Sequence, residues 1–217
     1  MDSTNYQPIP ALGKDSLTPL FDGFAEVLGL GVAFKKKVIE RAQLQHGERL
    51  LDVGCGTATL LMAAKAHDPS IEAIGIDSDE RVLALARKKI TASKLTVEVM
   101  QARAEQLPFP ADSFDIVTST LIFHHLPTEV KKLAMQEIYR VLKPGGRFVL
   151  ADFGQPQSVL LKTLFALGTL LPSREVMYAR DNQEGKLPLF LAEAGFAVTE
   201  PGPRHKWSIP FLLGSKE

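Results

Sequence analysis

The stretch 50–60, LLDVGCGTATL, constrains the fold of this chain more than any other. An apolar run ends at Asp52, glycines follow at positions 54 and 56, and a helical pattern begins at Ala58. This order predicts a β-strand, a tight glycine turn and the first turn of an α-helix. Glycine adopts backbone conformations that other residues avoid, so a small ligand can approach the bare N–H groups of such a turn.

The chain around that turn alternates between strand patterns and helix patterns. Buried-type strands are predicted at 71–76, 95–100, 114–119 and 147–152, with amphipathic helices between most of them. This rhythm predicts an α/β fold, a Rossmann-like doubly wound sheet that is mostly parallel with helices on both faces. Ligands of such sheets bind beyond the carboxyl ends of the strands. The residues at or just past predicted strand ends are Asp52, Asp77, Ala104, Thr120 and Asp152.

Composition narrows the class of protein. The 217 residues fit one domain, or one domain with a small addition, and 25 basic residues balance 25 acidic ones. This zero net charge provides no basic field, so no nucleic-acid partner is expected. The single cysteine, Cys55, excludes a disulfide framework and a cysteine-based zinc site, and no metal site is predicted. We interpret Cys55 as a small filler of the turn.

The sequence predicts an N-terminal arm and helices over residues 1–46, with 1–18 as a loose arm. A main domain is predicted over 47–217, with a small helical insertion at about 155–186. Residues 1–10 lack the pattern of a signal peptide, and no apolar run is long enough to span a bilayer, so a cytoplasmic location is expected. The three lysines at 35–37 are interpreted as a solvated helix face.

Three features indicate which nucleotide-like ligand the turn binds. The dinucleotide fingerprint needs a third glycine where this chain has Thr59, which disfavours a NAD(P) oxidoreductase. A carboxylate before the turn, Asp52, is unfavourable beside a pyrophosphate but favourable beside an ammonium or sulfonium. Asp77 follows Gly54 by 23 residues and stands where an acid accepts hydrogen bonds from ribose hydroxyls. No Gly-Lys-Ser/Thr follows the turn, so a Walker loop is excluded.

With these residues the chain resembles the class I S-adenosylmethionine (SAM)-dependent methyltransferases, of the group that includes ubiquinone and menaquinone biosynthesis methyltransferases. The matching motifs, in the family's order and spacing, are 51–57, 76–77, 104–109, 113–115, 124–126 and 140–146. The resemblance implies SAM as cofactor and a seven-stranded sheet whose last strand, at 208–213, runs antiparallel. It also implies a set of SAM-contacting residues: Asp52, Gly54, Gly56, Thr57, Asp77, Ser78, Arg103, Ala104 and Thr120.

One of these positions departs from the family. Where the family usually has Asp or Asn, able to accept from the adenine amino group, this chain has Arg103, which offers donors only. Two alternatives stay open. Either backbone and stacking alone recognise the adenine, or the arginine side chain turns outward. We expect weaker SAM binding than is usual for the family.

Methyl transfer requires mainly alignment, with a general base where the acceptor must lose a proton. His124, just after the fourth strand, is the candidate catalytic base, and a purely structural histidine that binds backbone groups is the alternative. The sequence therefore predicts a methyltransferase acting on a small molecule. A lipophilic acceptor under an apolar cap with Phe153, Phe165 and Met177, at a membrane surface, is one hypothesis. A catalytically silent SAM-binding regulator or partner subunit is the rival, and the oligomeric state is open.

Overall fold

The computed structural model describes residues 21–159, 163, 173–200 and 202–217. The arm predicted at 1–18, Phe165, and most of the helix predicted at 159–171 lie outside these residues. The helices are α1 (Phe21–Val27), α2 (Val32–Ala42), α3 (Thr59–His67), α4 (Glu80–Ser93), α5 (Thr128–Val141), α6 (Arg174–Gln183) and α7 (Leu187–Glu193). Among these described residues, 3₁₀ turns occupy Phe123–His125 and Lys206–Ser208.

The strands are β1 (Arg49–Val53), β2 (Glu72–Asp77), β3 (Val97–Gln101), β4 (Phe114–Thr120), β5 (Leu142–Ala151), β6 (Ala197–Thr199) and β7 (Phe211–Ser215). They form one sheet in the order β3-β2-β1-β4-β5-β7-β6. The pairs from β3 through β5 are parallel, and β7 is antiparallel to both of its neighbours. This confirms the predicted seven-stranded, mostly parallel sheet with an antiparallel last strand.

That last strand begins three residues later than the sequence predicted. Residues 206–208 form a 3₁₀ turn, and Pro210 has no N–H to donate to a ladder, so regular pairing starts at Phe211. The strand then pairs with β5 from Phe211 opposite Ala151 to Ser215 opposite Arg147.

Helices cover both faces of the sheet, because successive strand residues point to opposite sides. On one face Leu50 packs in a cluster with residues of α2, α3 and α4, such as Phe34, Leu61 and Leu83. On the other face Leu51 packs with residues of α5 and α7, such as Ile138. The doubly wound layering predicted from the sequence is therefore confirmed.

The chain passes from β1 to β2 on one side and later adds β4 on the other side of β1. Strand order therefore reverses at β1, and the glycine turn follows this strand directly. An open α/β sheet leaves a crevice at such a point, beyond the strand ends. Within the described ranges, no helix is both long and apolar enough to cross a bilayer.

Candidate functional site

A cavity of about 340 Å³ opens at the carboxyl edge of the sheet, above β1. Its floor is the turn after β1. Its walls come from the ends of β2 and β4, from the segment after β3, and from helices α1, α2 and α4. Seven residues that the sequence predicted for SAM line this cavity: Gly54, Gly56, Thr57, Asp77, Ser78, Ala104 and Thr120. Elements far apart in the sequence thus converge on one crevice.

The glycine turn is held against β2 by its own backbone. The N–H groups of Gly54 and Cys55 both donate to the carbonyl oxygen of Ile76, at 2.8 and 2.9 Å. Gly54 has φ +74°, and a Cβ at this position would overlap the Ile122 side chain. Glycine is therefore required at this position for two reasons, its left-handed backbone conformation and the close approach of the Ile122 side chain.

Cys55 fills space between the turn and β2. Its side chain is buried, and a Cβ built on Gly75 would lie 2.8 Å from the Cys55 sulfur. Burial, followed by the nearby charges of Asp52 and Asp77, raises the pKa of the Cys55 thiol. A neutral, buried thiol is a poor nucleophile, so the geometry supports a packing role.

Asp77 lies directly against the turn. Its Oδ2 accepts from the N–H of Gly56 at 2.9 Å, and its Oδ1 accepts from the N–H of Asp79 at 3.0 Å. Burial raises the pKa of this carboxyl, while these two backbone donors oppose the rise. A carboxylate offers about four lone-pair sites, so Asp77 can accept from ligand hydroxyls as well. The acid is fixed in place at the cavity edge.

Asp52 does not line the cavity, although the sequence placed it beside the ligand. Its side chain is 1% exposed and accepts from the Thr118 hydroxyl at 2.7 Å, because both residues lie on strands within the sheet. Burial raises the pKa of Asp52 to about 6, and the charge of Lys35 opposes that rise. Asp52 can therefore influence a ligand through its charge rather than by direct contact.

Arg103 is also absent from the cavity wall. Its Nε donates to the carboxylate of Glu105, two residues along the chain. Of the two alternatives left open by the sequence, the structure shows the side chain engaged with its neighbour rather than with the cavity. Ala102 and Ala104 on either side line the cavity, so this part of the wall is apolar.

His124 is half-buried beside the cavity and is not part of the cavity wall. Its Nδ1 lies 2.7 Å from Oδ1 of Asp152, and its ring packs against Phe153. Asp152 is 1% exposed and also accepts from the N–H groups of Phe123 and Phe153, each at 2.7 Å. Burial alone would raise the pKa of Asp152. The neighbouring His124 and the Phe153 N–H instead hold this pKa below its usual range.

Comparison with known proteins agrees with this geometry. Residues 50–146 match the family model of a methyltransferase domain. A demethylmenaquinone methyltransferase of Deinococcus radiodurans is 36% identical over 154 residues, which make up 70% of this chain and 63% of that relative. Over residues 50–146 the chain is therefore similar to a methyltransferase domain. The resemblance stated from the motifs is thereby confirmed.

Solved methyltransferases share the fold of this domain. A SAM-dependent methyltransferase from Aquifex aeolicus, 22% identical, covers 97% of this chain and 98% of its own, with a TM-score of 0.65. A Haemonchus contortus phosphoethanolamine N-methyltransferase, in complex with S-adenosylhomocysteine, is 21% identical and has a TM-score of 0.70. It covers 91% of this chain and 47% of its own length. The match to the curated Deinococcus relative spans less than two thirds of that protein.

The cavity also contains charged residues that the sequence pattern did not indicate. Lys35 lines the cavity and donates to the Thr120 hydroxyl, so the prediction of a solvated face at 35–37 is wrong for this lysine. Lys89 donates to the hydroxyls of Thr57 and Thr59 at 3.0 and 2.8 Å. A usable signal was helical spacing, since Lys35 lies four residues before buried Ile39, on the same side of α2.

His125, the second histidine of the pair, is the one that lines the cavity. Burial, followed by the neighbouring charge of His124, lowers the pKa of His125 to about 3. Its buried Nδ1 has no hydrogen-bond partner within the described part of the chain. His125 is therefore neutral at physiological pH and presents an uncharged wall to the cavity.

Proposed function

We propose that this protein transfers the methyl group of SAM to a small apolar acceptor of the demethylmenaquinone type. The observation that carries the proposal is the contact of Asp77 with the Gly56 N–H at 2.9 Å, which puts a carboxylate beside the glycine turn. A dinucleotide would place a pyrophosphate at this turn, where the buried charge of Asp52 opposes a second anion. A ligand with one sugar and a cationic end fits both carboxylates.

The cavity lining fits the parts of SAM. The Asp77 carboxylate can accept from two adjacent ribose hydroxyls, and the apolar wall around Ala102 and Ala104 suits the flat adenine. The turn over residues 54–57 offers backbone to the amino-acid part, beside Thr120. When bound, SAM supplies an activated methyl group on its sulfonium, so the protein has mainly to align the acceptor.

His124 is the proposed base for an acceptor atom that must lose a proton. Asp152 accepts from the Nδ1 side of the ring, so the neutral tautomer carries its proton there and leaves the Nε2 lone pair available. A proton from the acceptor would move to Nε2, and the imidazolium formed would be stabilised by the buried Asp152 carboxylate. The packing of Phe153 against the ring keeps it oriented.

An apolar acceptor is supported by the relatives and by the residues around the histidines. The curated relatives are named for demethylmenaquinone, and the cavity wall near His125 includes the aliphatic Leu121, Ile122 and Leu126. Met177 on α6 is 69% exposed, and α6 packs on the 3₁₀ turn that carries the histidines. An apolar side chain at this place suits contact with an oily acceptor.

The first experiment separates cofactor from acceptor. Calorimetry should detect binding of S-adenosylhomocysteine and none of NAD, and Asp77→Ala should weaken that binding by about 10-fold or more. Glu98→Gln, an exposed acid on β3, is the matched control and should bind normally. Incubation of the wild type with SAM and a short-chain demethylmenaquinol should then produce S-adenosylhomocysteine.

Each result has a distinct meaning. If NAD binds and S-adenosylhomocysteine does not, the proposed cofactor is wrong. If S-adenosylhomocysteine binds but no apolar acceptor is methylated, the regulatory alternative is favoured.

The role of His124 has its own test. His124→Gln should lower kcat by about 100-fold or more, the scale of a lost general base, with the affinity for S-adenosylhomocysteine unchanged. His46→Gln is the control, because His46 is 87% exposed at its side chain. An unchanged kcat in His124→Gln would assign this histidine to a structural role.

A further inference from the structure

The strongest unassigned group in the cavity is Lys35. Helix α2 places Phe34 and Val38 in the core, whereas Lys36 and Lys37 are exposed. Lys35 lies on the same side of α2 as Ile39 and is half-buried at the cavity wall. The first lysine of the run therefore differs from its two neighbours in burial and in what its side chain contacts.

The Lys35 ammonium lies at the β4 side of the glycine turn. It donates to Thr120, the last residue of β4, and its charge opposes the rise that burial causes in the pKa of Asp52 on β1. Asp77 ends β2, on the opposite side of β1. Neighbouring strands are about 5 Å apart, so the Lys35 end and the Asp77 end of the cavity are separated by about 10 Å.

A ligand that reaches from one end to the other meets different charges at each. If its sugar is held at Asp77, its opposite end lies between the β1 turn and β4, near buried Asp52 and near Lys35. An acid and a cation side by side are complementary to a zwitterion, which brings an ammonium and a carboxylate together. Without a cation, the ligand carboxylate would face Asp52 in a partly desolvated space, which is costly.

We propose that Lys35 binds the α-carboxylate of the amino-acid end of SAM and thereby selects cofactors that carry it. This inference rests on the proposed function above. An ammonium has three donors, so its hydrogen bond to Thr120 does not prevent one to the ligand. Lys35 is then a cofactor-binding residue contributed by a helix that precedes the glycine turn in the chain.

Lys89 is the rival for this role, since it is the other lysine that lines the cavity in the described part of the chain. It extends from α4 to the hydroxyls of Thr57 and Thr59, at the start of α3. The two lysines approach the turn from different elements, so separate variants distinguish them. The geometry favours Lys35 because Lys35 is the one in contact with β4, away from the Asp77 end.

The test compares two ligands that differ only in the carboxylate. Calorimetry measures the affinity of the wild type and of Lys35→Met for S-adenosylhomocysteine and for its decarboxylated analogue, S-adenosyl-3-thiopropylamine. We expect Lys35→Met to weaken the binding of S-adenosylhomocysteine by about 10- to 100-fold, which is the scale of a charge-assisted hydrogen bond. The binding of the analogue should weaken by less than about 3-fold. Lys36→Met is the control, because Lys36 is an exposed neighbour outside the cavity, and should bind both ligands as the wild type does.

Two further variants keep the result decisive. Lys35→Arg retains a cation and should preserve the preference for the ligand that carries the carboxylate. If Lys35→Met does not fold, Lys35→Arg still provides a variant on which this preference can be measured. Lys89→Met should not show a carboxylate-selective loss.

An equal loss for both ligands in Lys35→Met, no loss for either, or a selective loss in Lys89→Met would overturn the assignment. If the wild type fails to bind S-adenosylhomocysteine at all, the proposed cofactor fails, and that outcome is distinct from the preceding ones.

Discussion

Replacing the buried Asp52 carboxyl by an amide should stabilise the protein at neutral pH. Burial raises the pKa of Asp52 from 3.8 to about 6, and the attraction of Lys35 is already included in that value. Each pKa unit corresponds to about 1.4 kcal/mol, so a rise of about two units corresponds to about 3 kcal/mol. The Thr118 hydroxyl, which donates to Asp52, can donate equally to the oxygen of an asparagine.

The sign of the effect follows from proton binding. Between pH 3.8 and about 6 the folded protein keeps the Asp52 proton while the unfolded chain releases it. The folded state then binds more protons, so the free energy of unfolding falls as pH rises through this window and stays lowered above it. The Asp52→Asn variant has no carboxyl group to ionise at this position, so its free energy of unfolding does not fall in this way. We therefore expect the variant to gain up to about 3 kcal/mol over the wild type at pH 7 and almost nothing near pH 4.

Urea unfolding followed by circular dichroism at pH 4, 5, 6 and 7 measures this difference directly. Subtracting the variant from the wild type isolates Asp52, because the other titrating groups are common to both. Asp68→Asn is the control, since Asp68 is solvent-accessible and the Ser70 hydroxyl lowers its pKa, so it should show no gain at pH 7. A difference independent of pH, or an Asp52→Asn variant less stable at pH 7 than the wild type, would refute the reasoning.

Three further predictions follow from the site. Gly54→Ala should lose at least about 1–2 kcal/mol of stability in thermal unfolding, because of its φ of +74° and the overlap with Ile122. Adding Ile122→Ala to this variant should recover only the part of the lost stability that is due to overlap with the Ile122 side chain. Asp152→Ala should cost at least about 2 kcal/mol in urea unfolding, because it leaves His124, the buried N–H of Phe123 and the half-buried N–H of Phe153 unpaired. A stability unchanged from wild type would contradict either prediction. Cys55 should react with an aromatic disulfide at least about 100-fold more slowly in the native protein than in urea, and rapid native labelling would disprove its burial.

The sheet and the turn were predictable because their determinants are local. Glycines at 54 and 56, an apolar run before them and an acid at the end of the next strand define the motif within about 25 residues. Parallel strands place their carboxyl ends at one edge, so Asp77 and Thr120 could be expected in a common crevice. For the same reason, seven of the nine residues assigned to the cofactor line one cavity.

The side-chain partners were not predictable, because they lie far apart in the sequence. His124 and Asp152 are separated by 28 residues, and Lys35 and Thr120 by 85. A strand-end acid such as Asp152 has the same sequence pattern whether it is solvated or buried beneath a histidine. These outcomes depend on packing between elements, which a local pattern does not contain.

The wall that α1 and α2 provide comes entirely from residues that precede the matched segment 50–146. Selection can therefore alter the chemistry of the crevice at Glu26, Leu30, Val32 or Lys35 without touching any motif by which this family is recognised. Two chains with identical glycine turns can differ in ligand preference for this reason. Exchanging residues 21–46 between relatives is therefore a direct way to change ligand preference while the sequence motifs stay unaltered.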